Sequence, residues 1–238
     1  MTHALRGVLF DLDDTLFDHN HATECATAVL RGEDATFSVW SLAELRRRHS
    51  DVLESIHREV VAGRISIDDA RRERFRRLLA DAGADETGQS RAWDLAMRYR
   101  AAYQSNWRAV AGAVELLTVL RARDLSIAIV TNNLTAEQQQ KMKGCALEAH
   151  VDALITSEAV GIAKPATGIY QAALDALGLQ AEETVMVGDA WDTDIAGALA
   201  AGIRPIWFNW RRLPARDVKV AEISSLTPVD SALAALLA

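Results

Sequence analysis

The sequence predicts an α/β fold in which a parallel β-sheet carries helices on both faces and an all-helical segment is inserted after the first strand. Two observations predict it. Short apolar runs that end in polar residues alternate with helical patterns over residues 109–212, as in a parallel sheet with crossover helices. Between Phe17 and about Trp107 this alternation disappears, and only helical signals remain.

The predicted strands are four short apolar runs. The first stops at a cluster of aspartates, as a buried parallel strand does when it reaches a loop. The other three end at Thr131, at Gly188-Asp189 and at Asn209. The four runs cover residues 7–10, 127–130, 184–187 and 205–208.

Helices are predicted between these strands, and glycines mark two of their ends. Gly178 and Gly202 are placed as C-terminal stops. The segment from Ala221 to Ala238 is predicted to form a short strand or loop followed by a closing helix. The four internal helical patterns lie at about residues 114–123, 135–143, 169–177 and 194–201.

Within the helical insert, two serines are placed as helix starts. Ser41 and Glu44 form a capping-box pattern that predicts a long helix ending at Gly63. Ser66 resembles a second helix start, whose helix is expected to end at Gly83. The arginine-rich stretches 46–48 and 71–77 alternate with Leu, Phe and Glu, which favours a solvated helix face over an anion-binding surface.

The composition limits the classes of function. A formal net charge of −7 over 238 residues argues against nucleic acid as a partner, because such proteins need a basic surface. Cys25 and Cys145 lack metal-ligand spacing. No apolar run approaches the roughly 20 residues needed to span a bilayer, so no membrane partner is expected. Without an N-terminal apolar stretch and cleavage site, a cytoplasmic location is expected.

The segment Asp11-Leu12-Asp13-Asp14-Thr15 directly follows the first predicted strand. Side chains at the carboxyl end of a parallel strand point into the crevice where open α/β sheets bind ligands. Acidic residues concentrated there repel one another unless a cation or a proton intervenes. Asp11 and Asp13 are therefore candidates for catalysis, whereas Asp14 is expected to be a loop residue.

Complementary groups follow the later strands. Thr131 ends a strand, and Thr135 and Gln138 are spaced as a helix cap, so the Thr131 hydroxyl and nearby N–H groups are expected to hold a phosphate. Lys164 places a cation on the loop before the next helix. The segment 188–194 returns two or three carboxylates to the same edge of the sheet.

These four segments, in this order, resemble the haloacid dehalogenase superfamily, and specifically its aspartate-nucleophile phosphatases. The resemblance covers residues 5–17 and 109–212. It implies a Rossmann-like core domain of residues 1–16 and 108–238 and a helical cap domain of residues 17–107. The segments TNNLTAEQQQKMK, SEAVGIAKP and VGDAWDTDI further resemble the nucleotidase-like branch, which dephosphorylates nucleoside monophosphates.

The resemblance implies Mg²⁺-dependent hydrolysis of a phosphomonoester through an aspartyl-phosphate. Asp11 is the implied nucleophile, and Asp13 is the implied acid for the leaving group and base for water. The implied metal ligands are the carboxylates of Asp11 and Asp189 and the backbone carbonyl of Asp13.

The resemblance also implies a phosphate-binding set. Thr131 and Lys164 are expected to orient the phosphoryl oxygens, with Asn132 beside them in substrate binding. Asp194 is expected to hold Lys164 or a metal-bound water, and Asp192 is a less favoured substitute.

Several alternatives stay open at this point. The implied substrate is a small phosphorylated metabolite, with a nucleoside 5′-monophosphate placed ahead of phosphoglycolate, a sugar phosphate or flavin mononucleotide. A haloacid dehalogenase shares the fold and the nucleophile but needs neither magnesium nor a leaving-group acid, so Asp13 and Asp189 weigh against it. A phosphoaccepting signalling module is compact and lacks the helical insert. The protein is expected to be a monomer or a homodimer.

Overall fold

The computed structural model of the protein describes residues 4–61, 63–84, 89–214 and 216–238. The chain divides into two compact units, one formed by Met1–Asp18 with Arg108–Ala238 and the other by His19–Trp107. Within the described ranges, no helix is both long enough and apolar enough to cross a lipid bilayer.

A parallel sheet lies at the centre of the first unit, and its strands follow the order β3-β2-β1-β4-β5-β6. The predicted fold class is therefore confirmed. Four of the strands are the predicted apolar runs, the last is the short strand expected near residue 221, and the third was not predicted. The strands are β1 (Gly7–Phe10), β2 (Ser126–Thr131), β3 (Ala153–Thr156), β4 (Thr184–Gly188), β5 (Arg204–Phe208) and β6 (Ala221–Ile223).

Ten α-helices accompany these strands in the described part of the chain. Four belong to the second unit: α1 (His19–Glu33), α2 (Leu42–Val61), α3 (Ile67–Asp81) and α4 (Gln89–Ser105). The other six belong to the first unit: α5 (Ala113–Arg121), α6 (Thr135–Gly144), α7 (Ser157–Val160), α8 (Thr167–Leu177), α9 (Ala196–Ala200) and α10 (Val229–Leu237).

Both faces of the sheet are buried. Leu9 of β1 and Met186 of β4 pack with α8 in a cluster that includes Tyr170. Val8 and Phe10, which point to the opposite face because strand side chains alternate, are fully buried as well. This two-sided burial is the reason that the strands are near-continuous apolar runs in the sequence.

The register aligns the strand ends. Phe10 lies beside Ile129 of β2 on one side and Val187 of β4 on the other. The three strands therefore end at the same edge of the sheet, the one formed by their carboxyl ends, and the first residue beyond β1 is Asp11.

The second unit is a four-helix arrangement in which α1 contacts α2 and α4, and α3 also contacts α2 and α4. Both predicted helix starts are present: the hydroxyl of Ser41 accepts a hydrogen bond from the Glu44 backbone N–H at 3.1 Å, and Ser66 is the N-cap of α3. Gly63 and Gly83 follow the helix ends with φ of +67° and +75°, a conformation that glycine adopts without a steric cost.

The arginine-rich stretches of α2 and α3 form ion pairs with acids of their own helices, such as Arg47 with Glu44 at 2.8 Å and Arg76 with Glu73 at 2.6 Å. Ion pairs on an exposed helix face contribute little to stability, because water screens their charges. The predicted solvated face is present at Arg47, Arg76 and Arg77, which are exposed, whereas Arg46 and Arg74 are half-buried and contact Glu24 of α1 and His49 of α2.

Candidate active site

Three polar residues lie at the carboxyl edge of the sheet. Asp11 follows β1, Thr131 ends β2 and Asp189 follows β4. β1 lies between β2 and β4. From β2 the chain continues to β3 on one side of β1, and from β4 it continues to β5 on the other side. The carboxyl end of β1 is therefore the switch point at which open α/β sheets bind ligands. All three residues are buried.

A buried lysine links two of the aspartates. Lys164 Nζ donates to Asp11 Oδ1 at 2.6 Å and to Asp194 Oδ1 at 2.7 Å. Burial alone would lower the pKa of Lys164, but the two carboxylates outweigh it and hold that pKa above its ordinary value. Lys164 is therefore a fixed cation beside Asp11.

The loop that carries Lys164 is held by Asn132. The Asn132 side-chain oxygen accepts from the Lys164 backbone N–H at 2.7 Å, and its nitrogen donates to the Lys164 backbone carbonyl at 2.9 Å. Both ends of this amide thus face the Lys164 backbone. Asn132, the first residue after β2, therefore positions Lys164 beside Asp11, the first residue after β1.

The segment after β4 places two aspartates. Trp207 Nε1, from β5, donates to the Asp189 backbone carbonyl at 3.0 Å, and the Ala190 N–H donates to Asp194 Oδ2 at 3.0 Å. A π-helical turn, Trp191–Ile195, precedes α9, so the predicted α-helix from residue 194 begins two residues later than expected. A Cβ atom added to Gly188 would overlap the carboxyl group of Asp194.

Three carboxylates form a candidate metal centre. Asp11, Asp189 and Asp194 each offer an oxygen, and these oxygens lie within 4.8 Å of one another. Burial, together with the charge of the neighbouring carboxylates, raises the pKa of Asp11 well above its ordinary range. Burial and the charge of Asp194 raise the pKa of Asp189 to about 7, although the guanidinium of Arg211 opposes this shift. Burial and mutual repulsion therefore disfavour the ionised form of these two carboxyls, even with Lys164 and Arg211 beside them.

Arg211 contacts the Asp189 carboxylate from the loop after β5. Its side chain is 44% exposed, and its guanidinium lies over the ring of Trp210. Sequence reasoning missed this residue, because an arginine in an irregular segment gives no periodic signal.

Asp13 is held by α6. Its Oδ1 accepts from Lys141 Nζ at 2.6 Å, and its Oδ2 accepts from Gln138 Nε2 at 2.9 Å and lies 3.4 Å from Asn133 Nδ2. The prediction that Gln138 caps a helix is wrong. The N-cap of α6 is Leu134, without a side-chain cap, and Gln138 is fully buried.

The structure thus brings Asp11, Lys164, Asp189 and Asp194 together in one buried cluster, and it places Asp13 and Thr131 in a second group joined by Gln138. Asp192 is exposed and lies outside both groups. Lys141, like Arg211, is a residue of the site that the sequence interpretation did not single out.

Comparison with known proteins agrees with this geometry. Residues 5–202 match the model of the haloacid dehalogenase-like hydrolase family, and the chain belongs to that family. The match covers strands β1 to β4 of the sheet and the helical insert.

The relatives include phosphatases and a nucleotidase. Ribulose-1,5-bisphosphate 5-phosphatase of Halopiger xanaduensis is 34% identical over 85% of this chain and 84% of its own length. Pyrimidine 5′-nucleotidase PynA of Streptococcus pneumoniae is 28% identical over 85% of this chain and 83% of its own length. They support the predicted enzyme class, a phosphatase, and the likeness to a nucleotidase-like branch.

Solved structures share the fold. HAD-hydrolase YfnB of Bacillus subtilis, solved bound to magnesium, superposes with a TM-score of 0.74 at 23% identity, covering 97% of this chain and 99% of its own. Structures with this fold include haloacid dehalogenases as well. At these identities the likeness establishes the fold alone.

Proposed function

We propose that this protein is a Mg²⁺-dependent phosphatase that hydrolyses a small phosphomonoester through an aspartyl-phosphate on Asp11. The observation that carries the proposal is the placement of Asp11 between a fixed cation, Lys164, and two further buried carboxylates. A carboxylate so placed can attack phosphorus only if the charge of its neighbours is balanced.

The residues present fit a magnesium ion. Asp11, Asp189 and Asp194 supply a compact set of oxygens, the donor type that Mg²⁺ prefers. Burial and the neighbouring carboxylates raise the pKa of Asp11 and of Asp189, and a divalent cation would offset this cost of ionising them. We propose Asp11 and Asp189 as carboxylate ligands and the Asp13 backbone carbonyl as a third, with Asp194 anchoring Lys164. When bound, Mg²⁺ would neutralise charge between the nucleophile and the phosphoryl oxygens.

The reaction divides into two displacements. A carboxylate oxygen of Asp11 bonds to phosphorus while the bond to the leaving oxygen breaks, and Asp13 gives that oxygen a proton. Water then attacks the same phosphorus, Asp13 takes its proton, and the bond to Asp11 breaks to release phosphate. Lys164 and the Thr131 hydroxyl orient the phosphoryl oxygens, and Asn132 contributes by fixing Lys164.

The raised pKa of Asp189 predicts that magnesium affinity depends on pH. Because this pKa is about 7, the metal-free protein holds a proton there at lower pH, and Mg²⁺ must displace it. We expect the dissociation constant for Mg²⁺ to rise roughly tenfold for each pH unit below about 7 and to level off above it. Titration calorimetry across this range measures it directly.

The same shift fixes the sign of a stability change. A carboxyl whose pKa is raised by folding stabilises the protein at low pH, and this contribution is lost as pH rises toward about 7. Bound Mg²⁺ should restore the stability lost at the higher pH.

For the affinity measurement, a Mg²⁺ dissociation constant that stays constant below pH 7 would mean that Asp189 carries no proton in the metal-free site.

For the substrate, we propose a nucleoside 5′-monophosphate, with pyrimidines preferred. Two likenesses support this substrate. The chain is similar to PynA, and its segments around Thr131 and Lys164 resemble those of the nucleotidase-like branch. The likeness to a bisphosphatase that acts on a sugar phosphate makes that class the competitor.

The test is release of inorganic phosphate from a panel under identical Mg²⁺. Uridine and thymidine monophosphates are compared with phosphoglycolate, flavin mononucleotide, ribulose 1,5-bisphosphate and hexose phosphates. We expect the two nucleotides to give the highest kcat/KM. A sugar phosphate ranking first would reject the nucleotide assignment and leave the phosphatase proposal standing, whereas no release from any substrate would reject both.

A further inference from the structure

Helix α6 buries an unusual set of side chains. Its sequence, Thr135–Gly144, offers only Ala136 and Met142 as apolar residues, so it lacks the apolar stripe with which a helix normally packs on a sheet. The residues it buries are Gln138, Lys141 and Met142, and Gln138 and Lys141 are three positions apart on one face.

Both polar residues of this face end on Asp13. Lys141 Nζ engages one carboxylate oxygen and Gln138 Nε2 the other, while the Lys141 ammonium also lies 5.0 Å from the centre of the Phe17 ring. A carboxylate held at both oxygens cannot rotate about its last bond. The direction in which this carboxyl group can pass a proton is therefore fixed.

Gln138 also connects Asp13 to Thr131. One Nε2 hydrogen goes to Asp13 Oδ2 and the other to Thr131 Oγ1 at 2.7 Å. The Asp13 carboxylate fixes the amide this way round, because the amide oxygen in that place would face a negative charge. The Thr131 hydroxyl therefore accepts from Gln138 and keeps its own hydrogen to donate.

Fold stability gives no reason for these residues. Lys141 is 1% exposed, and a buried ion pair is often no more stabilising than apolar residues of the same volume. The Oε1 atom of Gln138 is buried and has no hydrogen-bond partner among the described residues, which costs stability. An apolar face on α6 would satisfy packing alone.

We propose that Lys141 and Gln138 are positioning residues that hold the Asp13 carboxyl in line with the leaving oxygen and aim the Thr131 hydroxyl hydrogen at the phosphoryl group. The inference rests on the proposed function and deepens it. Lys141 acts on protonation of the leaving group through Asp13, and Gln138 acts on both protonation and phosphoryl orientation.

The test uses the leaving group as its probe. A nitrophenolate departs without a proton, whereas an alkoxide needs one, so general-acid positioning matters for an alkyl phosphate and little for p-nitrophenyl phosphate. The value of kcat/KM is measured for p-nitrophenyl phosphate and for the best alkyl phosphate of the panel. For both substrates, kcat/KM reports the first displacement and is not affected by the later hydrolysis of the phosphoenzyme.

The variants are Lys141→Met, which keeps the length and removes the charge, Lys141→Arg, which keeps the charge, and Gln138→Leu. Matched controls on the same helix are the exposed Lys143→Met and Gln139→Leu. We expect Lys141→Met to lower kcat/KM about 10²-fold or more for the alkyl phosphate and less than about tenfold for p-nitrophenyl phosphate. Lys141→Arg should recover most of the loss, and both controls should match wild type.

Asp13→Asn supplies the reference pattern of selective loss on the alkyl phosphate. Equal losses of Lys141→Met on both substrates, or no loss on either, would overturn the inference. If thermal melting shows that Lys141→Met does not fold, Gln138→Leu decides. It should lower kcat/KM for both substrates, because the Thr131 hydroxyl is released as well, and it should lower the value more for the alkyl phosphate. An equal loss on both substrates, or no loss, would overturn the inference. A wild-type enzyme that releases phosphate from neither substrate would overturn the proposed function instead.

Discussion

Replacing Asp11 with asparagine is expected to lower turnover by at least about 10⁴-fold, because the amide keeps the shape of the carboxyl but cannot form the phosphoenzyme. The fold should persist. Lys164 retains Asp194 as a partner at 2.7 Å, and the variant loses a carboxyl that burial already disfavours in its ionised form. Phosphate release measures the loss, and thermal melting measures the fold.

The matched control for this variant is Asp192→Asn, which changes an exposed aspartate in the π-helical turn after β4 and should retain wild-type turnover. Rapid quenching with labelled substrate should also capture a phosphorylated wild-type protein and none in Asp11→Asn. Turnover of Asp11→Asn within tenfold of wild type would exclude this carboxylate as the nucleophile.

Removal of divalent metal is expected to have an effect of similar size. With excess chelator, the Asp11, Asp189 and Asp194 carboxylates face the phosphate with Lys164 and Arg211 as the nearby cations, and we expect activity to fall at least about 10³-fold. Readdition of Mg²⁺ should restore it. Ca²⁺ should restore little, because its longer bonds and looser coordination misplace the nucleophile.

The metal experiment also separates two chemistries of this fold. A hydrolytic dehalogenase carries out its displacement without a metal. Hydrolytic activity that is undiminished in chelator, together with halide release from a 2-haloacid, would therefore favour a dehalogenase over a phosphatase. Binding is followed independently by the rise in melting temperature with Mg²⁺, which should be lost in Asp189→Asn.

The sheet could be predicted because its central strands are buried on both faces. Each central strand is a short apolar run that can be identified from its own sequence alone, and these strands are β1, β2, β4 and β5. β3 escaped prediction because it is a four-residue edge strand whose first three residues are only half-buried. Partial burial weakens the apolar signal, and the alternation is too short to replace it.

The site was predictable where its residues follow strand ends and unpredictable where they come from a helix face. Asp11, Thr131 and Asp189 are marked by the strands before them. Lys141 lies in a polar helix, where a lysine ordinarily faces water. The available signal was indirect: a helix between two strands must bury a face, and α6 has almost nothing apolar with which to do so.

Gly188 leaves room for part of a neighbour. The carboxyl group of Asp194 lies where a side chain at position 188 would begin, and that carboxyl in turn anchors Lys164. Even the methyl group of alanine would displace Asp194, and the displacement would reach the lysine beside Asp11. Position 188 is therefore restricted to glycine for as long as Asp194 must anchor Lys164.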